Sequence, residues 1–250
     1  MHKHPSIDCD RRRLLAASGA VLLSAALWPA TTRAQGTSGG KIRIGCIGAG
    51  HIGGTVGTLW VKAGHQVPFT SLHPEELKDM VAALGPLAQA GTTDQAIAFG
   101  DVIFMAVPYG ALPQIGEQHG AALKGKIVLD AGNAVPDRDG AALYEEVERN
   151  GIGVTSQKYL PGTRLVRGFN TLGYKILASE ANRPDPKLAI PIAGDDAEAV
   201  RIAAELVRDA GFDPVVVGPL KDSSRFQRGA PGYGQQVTAA ELKQKLSLPN

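Results

Sequence analysis

The chain has 250 residues, with 26 Lys and Arg against 24 Asp and Glu, and a formal net charge of +2. Five of the basic residues and two of the acidic ones fall in residues 1–34, so residues 35–250 carry a formal charge of −1 and offer no net field for nucleic acid or an anionic membrane. Apolar residues make up 44% and charged residues 20%, ordinary for a soluble globular protein, and the 31 Gly and 16 Pro recur at no fixed period, which excludes collagen-like and low-complexity readings and leaves a chain long enough for one large α/β domain or for one domain plus an appendage.

Residues 1–34 read as a secretory signal. Arg11-Arg12-Arg13 is followed by a mostly Ala and Leu run from Leu14 to Trp28, and Thr32-Arg33-Ala34 gives a small-residue exit before Gln35. The adjacent arginines with two leucines behind them resemble the twin-arginine export signal. A membrane-spanning helix needs roughly 20 apolar residues, and this run is shorter and broken by Ser18, Gly19 and Ser24. The expectation is cleavage after Ala34, no stable membrane anchor, and a periplasmic or extracellular protein. Cys9 goes with the signal, so Cys46 is left without a partner for a disulfide and reads as an inert core residue.

After a Gly/Ser/Thr tether at 35–40, the elements alternate. Lys41–Ile47 predicts a buried strand, and Ile52, Val56, Leu59, Trp60 and Ala63 recur at helical spacing up to Gly64. A strand at 66–70 follows, then a helix begun by Pro74-Glu75-Glu76, a short strand near 87–90, and a brief helix capped at Thr93-Asp94. Strands are predicted at 101–107 and 126–130, and an amphipathic helix at 139–150. The weakest point of the chain is placed at Gly151–Gly153. Beyond it come strands at 164–169 and 188–193, a capping pair Asp195/Glu198 before a helix ended by Gly211, a strand at 214–217, a Gly/Pro/Arg loop at 224–234, and a terminal helix at 238–246. This alternation predicts an α/β fold, doubly wound, with a mostly parallel sheet. The division expected is a signal at 1–34, a dinucleotide-binding domain at 35–150 and a smaller C-terminal α/β portion at 151–250.

The motif that carries chemistry is Gly48-Ala49-Gly50-His51-Ile52-Gly53, a G-x-G-x-x-G that directly follows a strand and opens a helix. Gly48 permits the tight turn, Gly50 lets backbone approach a pyrophosphate, and Gly53 lets the helix pack close to the sheet. The helix start offers free N–H groups and a partial positive charge to phosphates. At the end of the second strand an NAD site carries Asp or Glu for the ribose 2′-hydroxyl. Here the residues are Thr70-Ser71-Leu72-His73, and the hydroxyl pair Thr70 and Ser71 with His73 suits a 2′-phosphate better than a carboxylate would, which favours NADP(H). Val107-Pro108-Tyr109-Gly110 ends the next long strand and is predicted to line the nicotinamide pocket, and Asp130-Ala131-Gly132-Asn133 ends the following strand and is predicted to flank the same crevice, with Asn133 as the ligand contact. No Tyr is followed four residues later by Lys, and no Cys or His pairs have zinc spacing, so neither a short-chain dehydrogenase dyad nor a metal site is expected. Glu145, Glu146 and Glu148 read as a solvated face, and Arg225 and Arg228 as loop surface charge.

Beyond the fingerprint, Ala106-Val107-Pro108, Asp130-Ala131-Gly132-Asn133, Gly168-Phe169-Asn170-Thr171, Ala193-Gly194-Asp195-Asp196 and the segment from Gly211 to Leu220 follow in order. Together these resemble the NADP-linked coenzyme F420 (8-hydroxy-5-deazaflavin) oxidoreductase family over roughly Lys41 to Leu220. The resemblance implies a Rossmann-type domain with a smaller C-terminal portion closing over the nicotinamide, and hydride transfer between NADPH and a small redox acceptor, with coenzyme F420 as one co-substrate. It also implies 2′-phosphate binding in a Ser-Arg-x-Pro region, where this chain has Ser71-Leu72-His73-Pro74. Arg167 stands where the family has Lys. Hydride transfer to a stacked ring is chiefly a matter of positioning, so no acid–base dyad is expected. The alternatives are a flavin or ferric-chelate reductase and an exported NADP-binding module without turnover. The partner expected is a small molecule rather than nucleic acid, and a homodimer is the assembly to check.

Overall fold

The computed structural model describes residues 40–249; the export-signal reading of residues 1–34 lies outside them. The described chain runs β1 (Ile44–Ile47), α1 (His51–Lys62), β2 (Val67–Thr70), α2 (Lys78–Leu84), β3 (Ala88–Ala90), α3 (Thr93–Phe99), β4 (Val102–Met105), α4 (Leu112–Leu123), β5 (Ile127–Asp130), α5 (Pro136–Asp139), α6 (Ala141–Asn150), α7 (Ile152–Tyr159), β6 (Arg164–Arg167), α8 (Tyr174–Glu180), β7 (Ala189–Gly194), α9 (Ala197–Asp209), β8 (Asp213–Gly218) and α10 (Ala239–Lys245). Its eight strands form one sheet in the order β3-β2-β1-β4-β5-β6-β7-β8, with every neighbouring pair parallel except β6 and β7. The first six strands have the doubly wound Rossmann order, and the order reverses between β1 and β4. The sheet continues across residue 150, and β6 pairs with β5 in register, Asp130 beside Arg167.

The central parallel strands β1, β2, β4 and β5 are buried at every position, because helices cover both faces. On one face α1, α8 and α9 enclose Trp60, whose ring meets Phe104 and Phe169 edge-on at 4.8 and 5.6 Å between centroids. Trp60 Nε1 donates to the Leu206 carbonyl at 2.7 Å, so this core ties α1 to α9, elements on opposite sides of residue 150. On the other face α4, α6 and α7 pack over Ile103, Met105 and Val128.

Several elements differ from their sequence reading. The 139–150 helix is split by Gly140, whose φ of +89° an L side chain rarely adopts, into α5 and α6. The cap of α3 is Thr92 rather than Thr93, in a capping box with Gln95. Asp196, not Asp195, caps α9 by accepting from Ala199 N, while Asp195 accepts from Leu220 N at 2.8 Å. Helices α4, α7 and α8 occupy stretches where no element was expected. The chain near Gly151–Gly153 is closely packed: a Cβ on Gly153 would lie 2.4 Å from Ser223 Oγ and 2.6 Å from the Leu220 carbonyl. Among the described residues no helix is long and apolar enough to cross a membrane.

Cys46 is fully buried in β1, and burial pushes its thiol up to about 12. The native protein is therefore expected to leave Cys46 unlabelled by a thiol reagent at mildly alkaline pH, with labelling of its peptide appearing only on unfolding, as mass spectrometry of the digested chain would show.

Candidate dinucleotide and acceptor site

The carboxyl ends of β1, β4, β5 and β6 are stepped together by backbone hydrogen bonds, from Ala106 N to Ile47 O (2.9 Å), Ala131 N to Met105 O (3.0 Å) and Gly168 N to Asp130 O (3.2 Å). They frame a crevice at the point where strand order reverses. The turn from β1 to α1 is fixed from β2: Gly48 N donates to Thr70 Oγ1 at 3.2 Å and Ala49 N to the Thr70 carbonyl at 2.7 Å. Sequence reasoning assigned Thr70 no part in this, since the partner strands become neighbours only in the sheet.

The three glycines of the motif have distinct surroundings. Gly48 has φ +91° and a Cβ there would lie 2.6 Å from the Ala106 carbonyl; on Gly53 it would lie 1.8 Å from the Gly48 carbonyl. These two glycines are demanded by the turn and by the packing of α1. Gly50 has φ −71°, within reach of any residue, and a Cβ there would meet no atom within 4 Å. Its missing side chain is therefore required by nothing in the protein, and keeps clear the space over the start of α1. That helix start has no side-chain cap and no acidic residue in its first turn, so its N–H groups and dipole face this space unopposed. A dinucleotide pyrophosphate fits that cradle. Ile52 is half-buried, and His51 is exposed.

Beyond β2, Ser71 Oγ accepts from His73 N at 3.1 Å, and His73 Nδ1 lies 3.5 Å from Glu75 Oε1. Between them Leu72 is 95% exposed. No carboxylate stands at the strand end itself. Beyond β4, Val107 is half-buried and Pro108 exposed. Tyr109 does not line the crevice as expected: its ring is fully buried in the core and its hydroxyl donates to the Ile152 carbonyl at 3.1 Å; burial, aided by nearby Asp130, pushes the phenol up, so it stays protonated.

Beyond β5, the Asp130-Ala131-Gly132-Asn133 turn is held by a buried pair that sequence reasoning did not connect. Asp130 and Arg167, both fully buried, form an ion pair. Asp130 Oδ1 also accepts from Gly132 N at 2.8 Å, and Arg167 donates to the Gly132 carbonyl. Asn133 Nδ2 in turn donates to the Asn170 carbonyl at 2.7 Å, and Asn170 Nδ2 donates to Asn133 Oδ1 and to the Phe226 carbonyl at 3.3 and 3.1 Å. The structure thus places Asn133 beside Asn170 at the same crevice, while Ser71 and His73 lie at the β2 end. Arg225 donates to the Leu246 carbonyl and ties its loop to the end of α10. Glu146 is engaged with Lys158 (2.6 Å) and the Tyr159 hydroxyl (2.7 Å), which hold its carboxyl below its ordinary value; it belongs to an ion-pair cluster rather than an open solvated face. No group of three or more His, Cys, Asp or Glu side chains among the described residues is placed to hold a metal ion.

Comparison with known proteins gives a consistent picture. Residues 43–134 match the model of a family described as NADP oxidoreductase, coenzyme F420-dependent. The metalloreductase STEAP3 of Rattus norvegicus is 29% identical over 193 residues, which cover 74% of this chain and 36% of the relative, so the chain spans little more than a third of that protein. Among solved structures, the hypothetical protein SMa0349 from Sinorhizobium meliloti superimposes with a TM-score of 0.68 at 27% identity, covering 79% of this chain and 95% of the other. A protein of Arthrobacter sp. FB24 assigned as an F420-dependent NADP reductase gives a TM-score of 0.63 at 19% identity over 73% and 87% of the two chains, a likeness of fold.

Proposed function

We propose, from the match of residues 43–134 to the model of the coenzyme F420-dependent NADP oxidoreductase family, that this chain is an NADP(H)-dependent oxidoreductase acting on a small redox acceptor. The observation that carries the reading is the Gly50 cradle: an uncapped helix start, a space that a single Cβ would fill, and a loop fixed in place by Thr70. When bound, NADPH supplies a hydride from its nicotinamide, which passes with its two electrons to the acceptor while a proton comes from water and NADP+ remains. The residues of this chain do the positioning. The α1 start takes the pyrophosphate, Ser71 and His73 take the 2′-phosphate, and Val107, Pro108 and Asn133 flank the nicotinamide. Asp130 and Arg167 hold the turn that presents Asn133.

A ring acceptor, whether deazaflavin or flavin, takes both electrons in one step. A ferric chelate takes one electron per iron and requires two irons for each NADPH. The electron count favours the ring. Export through the twin-arginine route, with the cofactor already bound, belongs to the same proposal, and processing after Ala34 in cell fractions would check it.

The nucleotide preference rests on the loop after β2. Titration of the protein is expected to show tighter binding of NADPH than NADH, and the opposite order would overturn the assignment. Leu72→Arg adds a planar cation between Ser71 and His73, where a bidentate contact with phosphate is worth about 1.5–3 kcal/mol. That variant is expected to tighten NADPH by roughly 10- to 100-fold with little change for NADH.

A further inference from the structure

The rings of His51 and Tyr174 lie face to face, with centroids 4.2 Å apart and planes 9° from parallel. His51 is the first residue of α1 and Tyr174 the first of α8, so the stack joins two helix starts on the face of the sheet that α1 and α8 share. His51 is exposed and Tyr174 half-buried. Each follows a glycine cap, Gly50 and Gly173, and a Cβ on either would meet no atom within 4 Å. Open space therefore adjoins the backbone at both helix starts. Neither the His51 ring nor the Tyr174 hydroxyl makes a hydrogen bond among the described residues, and neither ring belongs to a core cluster. The pair is a flat aromatic surface left at the rim of the crevice, one residue from the phosphate cradle on one side and four residues beyond Asn170 on the other.

Resting on the oxidoreductase reading, we propose that the His51–Tyr174 stack is the acceptor platform: a binding surface for a planar heteroaromatic ring, held by stacking against Tyr174. A flat π-face attracts a ring of this kind without reading its edge, and it gives no comparable hold on an octahedral metal chelate. The platform thus selects for ring acceptors over ferric chelates at the binding step. Tyr174 carries the selection, and His51 backs it from α1.

The test uses riboflavin as the probe, the full chain, and saturating NADP+, with fluorescence quenching as the readout and NADP+ affinity measured separately by calorimetry. Wild-type protein is expected to quench riboflavin saturably. Tyr174→Leu is expected to weaken riboflavin by about tenfold or more, Tyr174→Phe to stay within about twofold of wild type because the ring is kept, and NADP+ affinity to be the same in all three. Equal riboflavin affinity in wild type and Tyr174→Leu overturns the platform. So does an absence of quenching by a chain that binds NADP+, and so does a loss of NADP+ affinity in Tyr174→Leu, since the stack would then serve α1 rather than the acceptor. A wild-type chain that fails to bind NADP+ overturns the reading on which the platform rests.

Discussion

Replacing Arg167 with methionine is expected to destabilise the protein by about 3–5 kcal/mol, because the Asp130 carboxylate is left charged and fully buried without its partner. For a chain of this size that is a fall of roughly 6–20 °C in the thermal midpoint. Arg167→Lys keeps the charge but not the fork that reaches Asp130 and the Gly132 carbonyl together, and is expected to fall between the two. Converting both residues, Asp130→Leu with Arg167→Met, removes the unpaired charge and is expected to be less damaging than the single change. Differential scanning calorimetry of the three variants checks the order. A single Arg167→Met as stable as wild type would mean that the pair does not hold the turn. The same variants bear on function, since Asn133 is presented by that turn, and weaker binding of the nicotinamide end should accompany the loss of stability.

Gly50→Ala and Gly53→Ala separate the fold from the site. At Gly53 a Cβ would come within 1.8 Å of the Gly48 carbonyl, so α1 must leave its seat on β1 and the variant is expected to unfold or to bind nothing. At Gly50 the backbone already suits alanine and the added methyl meets no protein atom. Gly50→Ala is expected to keep its thermal midpoint within about 2 °C, as surface changes do. It should nonetheless lose roughly 10- to 100-fold in NADPH affinity, the worth of one or two displaced hydrogen bonds to a charged phosphate. Calorimetric titration of a folded Gly50→Ala that binds NADPH as tightly as wild type would show that the cradle is not where the pyrophosphate lies.

The parts of this molecule that sequence makes plain are those in which neighbours along the chain are also neighbours in space. The strand–turn–helix from Lys41 to Ala63 is such a unit, with its apolar run, its glycines and its helical stripe in one window, and β4 and β5 announce themselves as short apolar runs. Glycine was harder to read. Gly116 and Gly120 dilute the periodicity of α4, yet a Cβ on Gly116 would lie 1.8 Å from the Tyr159 carbonyl, so that glycine marks the close approach of α4 to α7 rather than a break. Gly153 has the same meaning within α7. The Asp130–Arg167 pair and the Asn133–Asn170 contact each join residues 37 positions apart. Only the parallel register of β5 against β6 brings them together, and no local pattern encodes that register. Tyr174 was passed over for a similar reason: α8 is seven residues long with one fully buried side chain, too short to show an amphipathic period.

Turnover of NADPH tests the oxidoreductase most directly. The purified protein is mixed with NADPH and, in separate samples, a deazaflavin, riboflavin and a ferric chelate, while the absorbance band of the reduced nicotinamide is followed. The expected result is loss of that band with the ring acceptors, one NADPH consumed for each ring reduced. Saturable binding of NADPH with no loss of the band in any sample would contradict the oxidoreductase and leave a nucleotide-binding module in its place.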